Sequence, residues 1–310
     1  MTRVRDFLGP YRCVRLIRVG TTCQVWEAVK QGENTRYALK VLREDLRTDK
    51  ALVGELKHEF EVAHKLRHKN VIRIYEFNTE NQTPYLVMEL FEYPNLKLVL
   101  RQGAQALAYL ATRIIEQSAE SLFYLHGEGW VHRDVKPDNF LVSDDGVVKL
   151  IDFAISQKMK TGIAAMFSFG SGKIQGTRSY MSPEQIRGQT LDARADIYSY
   201  GCMLFELLSG KLPFTGDNSD DLLKRHLNAP IPSLQVYNEN VTPEFSNLIR
   251  RMMAKDKRER PPSMWEFLKE FRNLRPFKVV PKPPEGKILL PREERVAPDD
   301  LKKRASPGGG

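Results

Sequence analysis

The chain has 310 residues, 41% hydrophobic and 28% charged, enough for one large core or two lobes of an ordinary globular protein. The formal net charge is +9, yet basic and acidic residues alternate in "LREDLRTDK" and "KDKRER", so a solvated surface is expected rather than a specific nucleic-acid site; three scattered cysteines exclude a disulfide framework or a zinc cluster. No apolar run approaches the roughly 20 residues of a membrane span, and "MTRVRDFLGPYRC" lacks the apolar core of a secretory leader, so a cytoplasmic location is expected.

From residue 11 to about 91 the pattern is of short strands around one helix. "YRCVRLIRVG", "CQVWEAVKQ", "RYALKVL", "VIRIYEF" and "YLVMEL" are rich in β-branched and aromatic residues, and Gly or Asn separates several of them. Between the third and fourth runs, Leu52, Leu56, Phe60, Ala63 and Leu66 recur at spacings of four and three, which predicts a helix across about 48–67. Cys13 and Cys202 read as small buried hydrophobes. After Phe91 the apolar density becomes that of packed helices, as in "AQALAYLATRIIEQSAESLFYLH" and "ADIYSYGCMLFELLSG", with more to about 275. The fold class expected is therefore α+β: a small β-rich lobe over about 11–91, a larger helical lobe over about 92–271, and a cleft between. Residues 277–310, dominated by proline, glycine and charge, read as a flexible tail.

The stretch with the strongest chemical content is "VHRDVKPDNFLV" at 131–142. Moving a phosphoryl group onto a hydroxyl calls for a carboxylate to orient that hydroxyl, a cation near the transferring group and an oxygen ligand for magnesium. Asp134, Lys136 and Asn139 supply the three within six residues. This stretch resembles the catalytic loop of eukaryotic-type protein kinases, and the lysine two places after the aspartate resembles their serine/threonine branch. The resemblance covers about 11–271 and implies a bilobal kinase-like fold.

It further implies roles for other residues. Lys40 in "YALKVL" stands where the family keeps the lysine that grips the α- and β-phosphates, and Glu59 is its expected partner, with Glu55 and Glu61 as competitors. Ala38, Met88, Glu89 and Phe91 would line the adenine site, the last three in a hinge-like "YLVMELFEYPNL". Asp152 in "IDFA" and Asn139 would hold magnesium, with manganese as an alternative. Asp196 would brace the catalytic loop, Glu184 would pair with Arg260, His132 would be a packed scaffold residue, and Arg133 would meet a phosphate. Thr177 would contact the catalytic loop, and one or more of Thr161, Ser168 and Ser171 would be phosphorylated.

The chain departs from the family in four places. In "IRVGTTCQVWEA", Arg18 and Cys23 occupy two of the three glycine positions, leaving Gly20 and Val25. Ala154 replaces the glycine of Asp-Phe-Gly, Ser182 an alanine, and Tyr198 a tryptophan. The function implied is transfer of the γ-phosphate of Mg-ATP to Ser/Thr hydroxyls of protein substrates, with autophosphorylation of the segment 152–184. The alternative is a scaffold that has lost the chemistry. No oligomeric state follows from the sequence.

Overall fold

The computed structural model describes residues 7–159 and 176–283. Its described residues divide into two compact units: 7–67 with 72–93, and 68–71 with 94–283.

The first unit is a six-stranded antiparallel sheet with one helix. Strands β1 (Phe7–Leu8), β2 (Tyr11–Val19), β3 (Cys23–Lys30) and β4 (Arg36–Leu42) precede helix α1 (Lys50–Ala63), and β5 (Ile74–Glu80) and β6 (Thr83–Glu89) follow it; the sheet order is β1-β2-β3-β4-β6-β5. All five predicted runs are strands. β5 and β6 join through Asn81 and Gln82, at φ 46° and 60°, the paired left-handed geometry that suits a two-residue hairpin loop. Helix α1 is shorter than its apolar spacing predicts. Asp49 caps it by accepting from the N–H groups of Ala51 and Leu52, and the chain leaves the helix at His64.

The core of this sheet includes Tyr11, Leu16, Trp26, Leu39 and Val87. Cys13 is only half-buried against it, whereas Cys202 is fully buried, so the expectation of burial holds for one cysteine and not the other. A carboxylate sits on the same strand as Trp26: Glu27 is fully buried and paired with Arg15 and Arg36, which both reach Glu92.

The second unit is mainly helical: α2 (Leu96–Leu100), α3 (Ala111–Gly127), α4 (Pro183–Ile186), α5 (Ala193–Ser209), α6 (Ser219–Asn228), α7 (Pro243–Met252) and α8 (Met264–Asn273). Two small strand pairs carry the loops of interest: β7 (Trp130–Val131) with β10 (Gln157–Lys158), and β8 (Phe140–Val142) with β9 (Val148–Leu150). Helix α5 is buried on every side, the mark of a central helix. It is capped by Asp192 and ended by Gly210 in the left-handed region, φ 72°. Gly201 on α5 admits α7 closely, since a Cβ there would lie 2.9 Å from the Cβ of Met252.

The start of the predicted tail is fixed. Phe277 is buried, and Asn240 accepts from the N–H of Val279 and donates to its carbonyl, both at 2.8 Å. The tail beyond 283 lies outside the described residues.

Tyr198 on α5 hydrogen-bonds Nδ1 of the fully buried His226 at 3.0 Å. Burial, with the Lys255 ammonium nearby, holds the His226 pKa down at about 4, against 6.5 for an exposed imidazole. Between those values the unfolded chain binds a proton that the folded chain does not. Stability should therefore fall as pH drops from 6.5 toward 4, by up to about 3 kcal/mol from this residue. Denaturant midpoints of wild type and His226→Gln across that window check it: the variant should show the shallower acid loss, and equal slopes would remove His226 as the cause.

Candidate active site

In the first unit, Lys40 and Glu59 meet at 2.6 Å, Nζ to Oε2, with the glutamate side chain only 2% exposed. The pair follows from the placement of Lys40 on β4 and Glu59 on the buried face of α1. Of the competitors for that role, Glu61 is exposed and Glu55 half-buried.

Cross-strand register aligns the neighbouring residues: Val25 lies opposite Lys40, and Ala38 opposite Met88. Ala38 and Lys40, two apart on β4, share a face. The Glu89 N–H donates to the carbonyl of Arg73, so the hinge amide at that position is already engaged. Phe91 packs on Tyr93, ring centres 5.1 Å apart. Gly20 donates its N–H to the Cys23 carbonyl at 2.8 Å, and a Cβ there would lie 3.1 Å from that oxygen, so the surviving glycine stands where the turn is tightest.

In the second unit the loop between β7 and β8 brings three predicted residues together. Lys136 Nζ lies 2.6 Å from Asp134 Oδ2, and the Asn139 amide nitrogen donates to the Asp134 carbonyl at 2.8 Å and its carboxylate at 3.2 Å. With its nitrogen turned to Asp134, Asn139 directs the oxygen end of the amide away. Thr177 closes the cluster: its N–H and hydroxyl donate to Asp134 Oδ1 at 2.9 and 3.0 Å, and Lys136 donates to that hydroxyl at 2.6 Å.

The backbone here is held from behind. Asp196, at the start of α5, accepts from the N–H groups of His132 (2.7 Å) and Arg133 (2.9 Å) and from Nε2 of His126 (2.9 Å). The His132 ring accepts from the Asp134 N–H through Nδ1 and donates to the Ile151 carbonyl through Nε2. Both nitrogens are committed, so His132 is a scaffold residue rather than a base. Gln185 adds a bond to the Arg133 carbonyl, 2.9 Å. Nothing in the local sequence marked His126 or Gln185 for this task.

Arg133 takes φ 70°, and burial disfavours its charged form against a countering field from Asp196. Its Nε is buried with no hydrogen-bond partner among the described residues. The predicted phosphosites Thr161, Ser168 and Ser171 lie outside the described residues.

Asp152 is half-buried at φ 68°. The Ile151 N–H donates to the Asn139 carbonyl, which ties the two candidate metal ligands' backbones together. Among the described residues only Asn81, Gln82, Arg133 and Asp152 are non-glycines with positive φ, and Ala154 is not one of them. It sits in a turn closed by the Ser156 N–H on the Phe153 carbonyl, at a φ that alanine adopts without cost. In this conformation the missing glycine carries no left-handed φ penalty.

Two other departures have physical reasons. Ser182 is the N-cap of α4, bonded reciprocally with Gln185 in a capping box. Tyr198 supplies the hydroxyl that partners His226, and its ring lies under the Arg260 guanidinium, 4.9 Å from the centroid. Arg260 grips Glu184 with two bonds, 2.6 and 2.9 Å, both residues being buried.

A family model described as the protein kinase domain matches residues 11–270. The chain belongs to the protein kinase family. Among curated proteins it is 32% identical to serine/threonine-protein kinase PknA of Mycobacterium tuberculosis over 295 residues, 94% of this chain and 66% of that one. Serine/threonine-protein kinase PrkC of Bacillus subtilis is 32% identical over 248 residues, 80% of this chain and 38% of the relative. A probable serine/threonine-protein kinase PknB of Bifidobacterium longum is 31% identical over 270 residues. The chain thus spans between about two fifths and just under two thirds of these relatives' lengths. No described helix of this kinase domain is long and apolar enough to cross a membrane.

For the kinase domain the geometry at Ala154 carries a prediction. Ala154→Gly should change the rate of phosphate incorporation by less than about threefold, since glycine's freedom is not used at that φ. A rise of tenfold or more would mean that alanine does restrain the turn.

Proposed function

We propose that the protein is a serine/threonine protein kinase that transfers the γ-phosphate of Mg-ATP to hydroxyls of protein substrates. The observation that carries the reading is the convergence of Lys136, Asn139 and the Thr177 hydroxyl on one carboxylate, Asp134. Thr177 occupies Oδ1 with the same kind of group, an aliphatic hydroxyl, that a substrate serine or threonine would present.

Each residue then has a defined task. Asp134 orients the substrate hydroxyl and accepts its proton. Lys136, already within 2.6 Å of that carboxylate, places a positive charge beside the transferring group. Lys40, held by Glu59, grips the nucleotide phosphates. Gly20, Val25, Ala38, Met88, Glu89 and Phe91 bind the rest of the nucleotide. Asn139 and Asp152 offer one amide oxygen and one carboxylate, hard donors that fit magnesium or manganese. Among the described residues no group of three His, Cys, Asp or Glu forms a protein-only metal cage. That suits a cation held by one or two side chains together with substrate phosphates. Bound there, the metal would neutralise charge on the phosphates. Arg133, a half-buried cation whose buried Nε is unmatched among the described residues, suits a phosphate on the segment 152–184. The reaction belongs in the cytoplasm, where ATP is held.

The scaffold alternative rested on Ala154 and the reduced glycine loop. The Ala154 geometry removes one of its two supports, and relatives named as kinases lend it none. The test is incorporation of radiolabelled phosphate from ATP with magnesium, then manganese, into the chain itself and into a mixed protein substrate. Transfer that requires the metal supports the reading. No transfer with either metal, after pre-phosphorylation by another kinase, overturns it.

A further inference from the structure

A buried carboxylate in the first unit has no task in the proposed chemistry. Glu27 on β3 is fully buried, yet it does not belong to the apolar face of the sheet, where Trp26 and Leu39 pack. Cross-strand register sets Arg15, Glu27, Ala38 and Met88 in one row, with Val25 opposite Lys40 in a neighbouring row of the same face. Glu27 therefore stands beside Ala38, on the face that carries Lys40. Arg36, two residues before Ala38 on β4, comes to that face as well.

Four charges of the first unit meet there. The Arg15 and Arg36 guanidinium groups each engage one oxygen of Glu27. Both also reach Glu92, Arg36 at 2.8 Å and Arg15 at 3.3 Å. Glu92 follows Phe91, the last of the hinge-like residues assigned to the nucleotide. Two arginines thus link a carboxylate within the sheet to the stretch of chain that ends the adenine site, and two acids balance two bases. Burying such a group gains little stability over apolar side chains of similar volume. What it adds is direction, since the bonds fix where residue 92 lies relative to β3 and β4.

We propose that Glu27 is a positioning residue for nucleotide binding: through Arg15 and Arg36 it holds Glu92, and so sets the segment from Glu89 to Phe91 against Ala38, where the adenine is taken. The inference rests on the kinase reading and deepens it, giving a task to four side chains outside the assigned nucleotide contacts. It also fixes a sign. Glu27 and Glu92 are negative charges beside the binding position of a polyanion, so on charge alone their removal tightens nucleotide binding. If they hold the segment, their removal weakens it.

Calorimetric titration with Mg-ADP gives the affinity and the binding-competent fraction separately. It is run on wild type, Glu27→Gln, Glu92→Gln, Arg36→Met and the double variant Arg36→Met with Glu92→Gln. Kd should rise about tenfold in Glu27→Gln and about fivefold in Glu92→Gln, with stoichiometry unchanged. Arg36 is 51% exposed and Glu92 31%, so their variants answer should Glu27→Gln fail to fold. Arg36→Met keeps the Arg15 bond to Glu92 and should fall between wild type and Glu92→Gln. The double variant should bind within about twofold of Glu92→Gln, because both changes cut one connection. In phosphate transfer the same variants should raise KM for ATP and keep kcat within about threefold. A purely structural cluster would lower stoichiometry and kcat while leaving Kd and KM alone, and that result overturns the proposal. So does an unchanged or tighter Kd in Glu92→Gln. Wild type that binds Mg-ADP but transfers no phosphate would sink the kinase reading alone, with the titrations still deciding this one; wild type that binds no nucleotide would sink both.

Discussion

Asp134→Asn should lower phosphate transfer by about 10³-fold, within the 10²–10⁴ that a positioned acid–base group contributes. The carboxamide keeps the shape of the side chain and can still accept from Thr177 through its oxygen. It cannot take up a proton. Lys40→Met should lose transfer to a comparable extent for a different reason, and the two are separable. The methionine leaves Glu59, 2% exposed, without its cation, so Lys40→Met should also lose thermal stability while Asp134→Asn changes it little. Single-turnover incorporation of labelled phosphate, run beside thermal unfolding, reads both. An Asp134→Asn protein with more than a tenth of wild-type rate would remove Asp134 from its assigned role.

The second large effect is on folding. Arg260→Ala should destabilise the helical unit by about 3–5 kcal/mol, because it strands the Glu184 carboxylate in a buried site. The arginine also donates to the carbonyls of Ala254 and Arg194, so three segments lose a common partner. Replacing both partners, Arg260→Met with Glu184→Leu, should cost less than the sum of the single changes, since no charge is left unpaired. Guanidinium titrations of the four proteins measure this. A loss below about 1 kcal/mol for Arg260→Ala would mean that the pair is solvated, against its burial.

What could be read beforehand was what lies close together along the chain. The strands announce themselves as β-branched runs, α1 as a four-and-three spacing, and the catalytic cluster as Asp134, Lys136 and Asn139 within one short loop. Lys40 and Glu59 are 19 apart, and it is the resemblance to the family that pairs them. The unread features are contacts that only the tertiary fold creates. Lys97 and Glu206 are separated by 109 positions, and Tyr198 and His226 by 28 with no shared motif. Glu27 looks like an exposed strand residue until Arg15 and Arg36 close over it. The replacement at Ala154 was legible as chemistry but not as geometry: the residue of that turn with a positive φ is Asp152, not Ala154.

The brace behind the catalytic loop also has a consequence for how the protein is made. Asp196 holds Arg133 across 63 positions, Thr177 holds Asp134 across 43, and Arg260 secures Glu184 across 76. Closing such long loops is entropically slow. During synthesis the loop that carries Asp134 emerges well before the residues that give it its shape. The nascent chain therefore carries the side chains of the catalytic loop before it carries the partners that hold them, and the set of braces is complete only once the segment around Arg260 has been made.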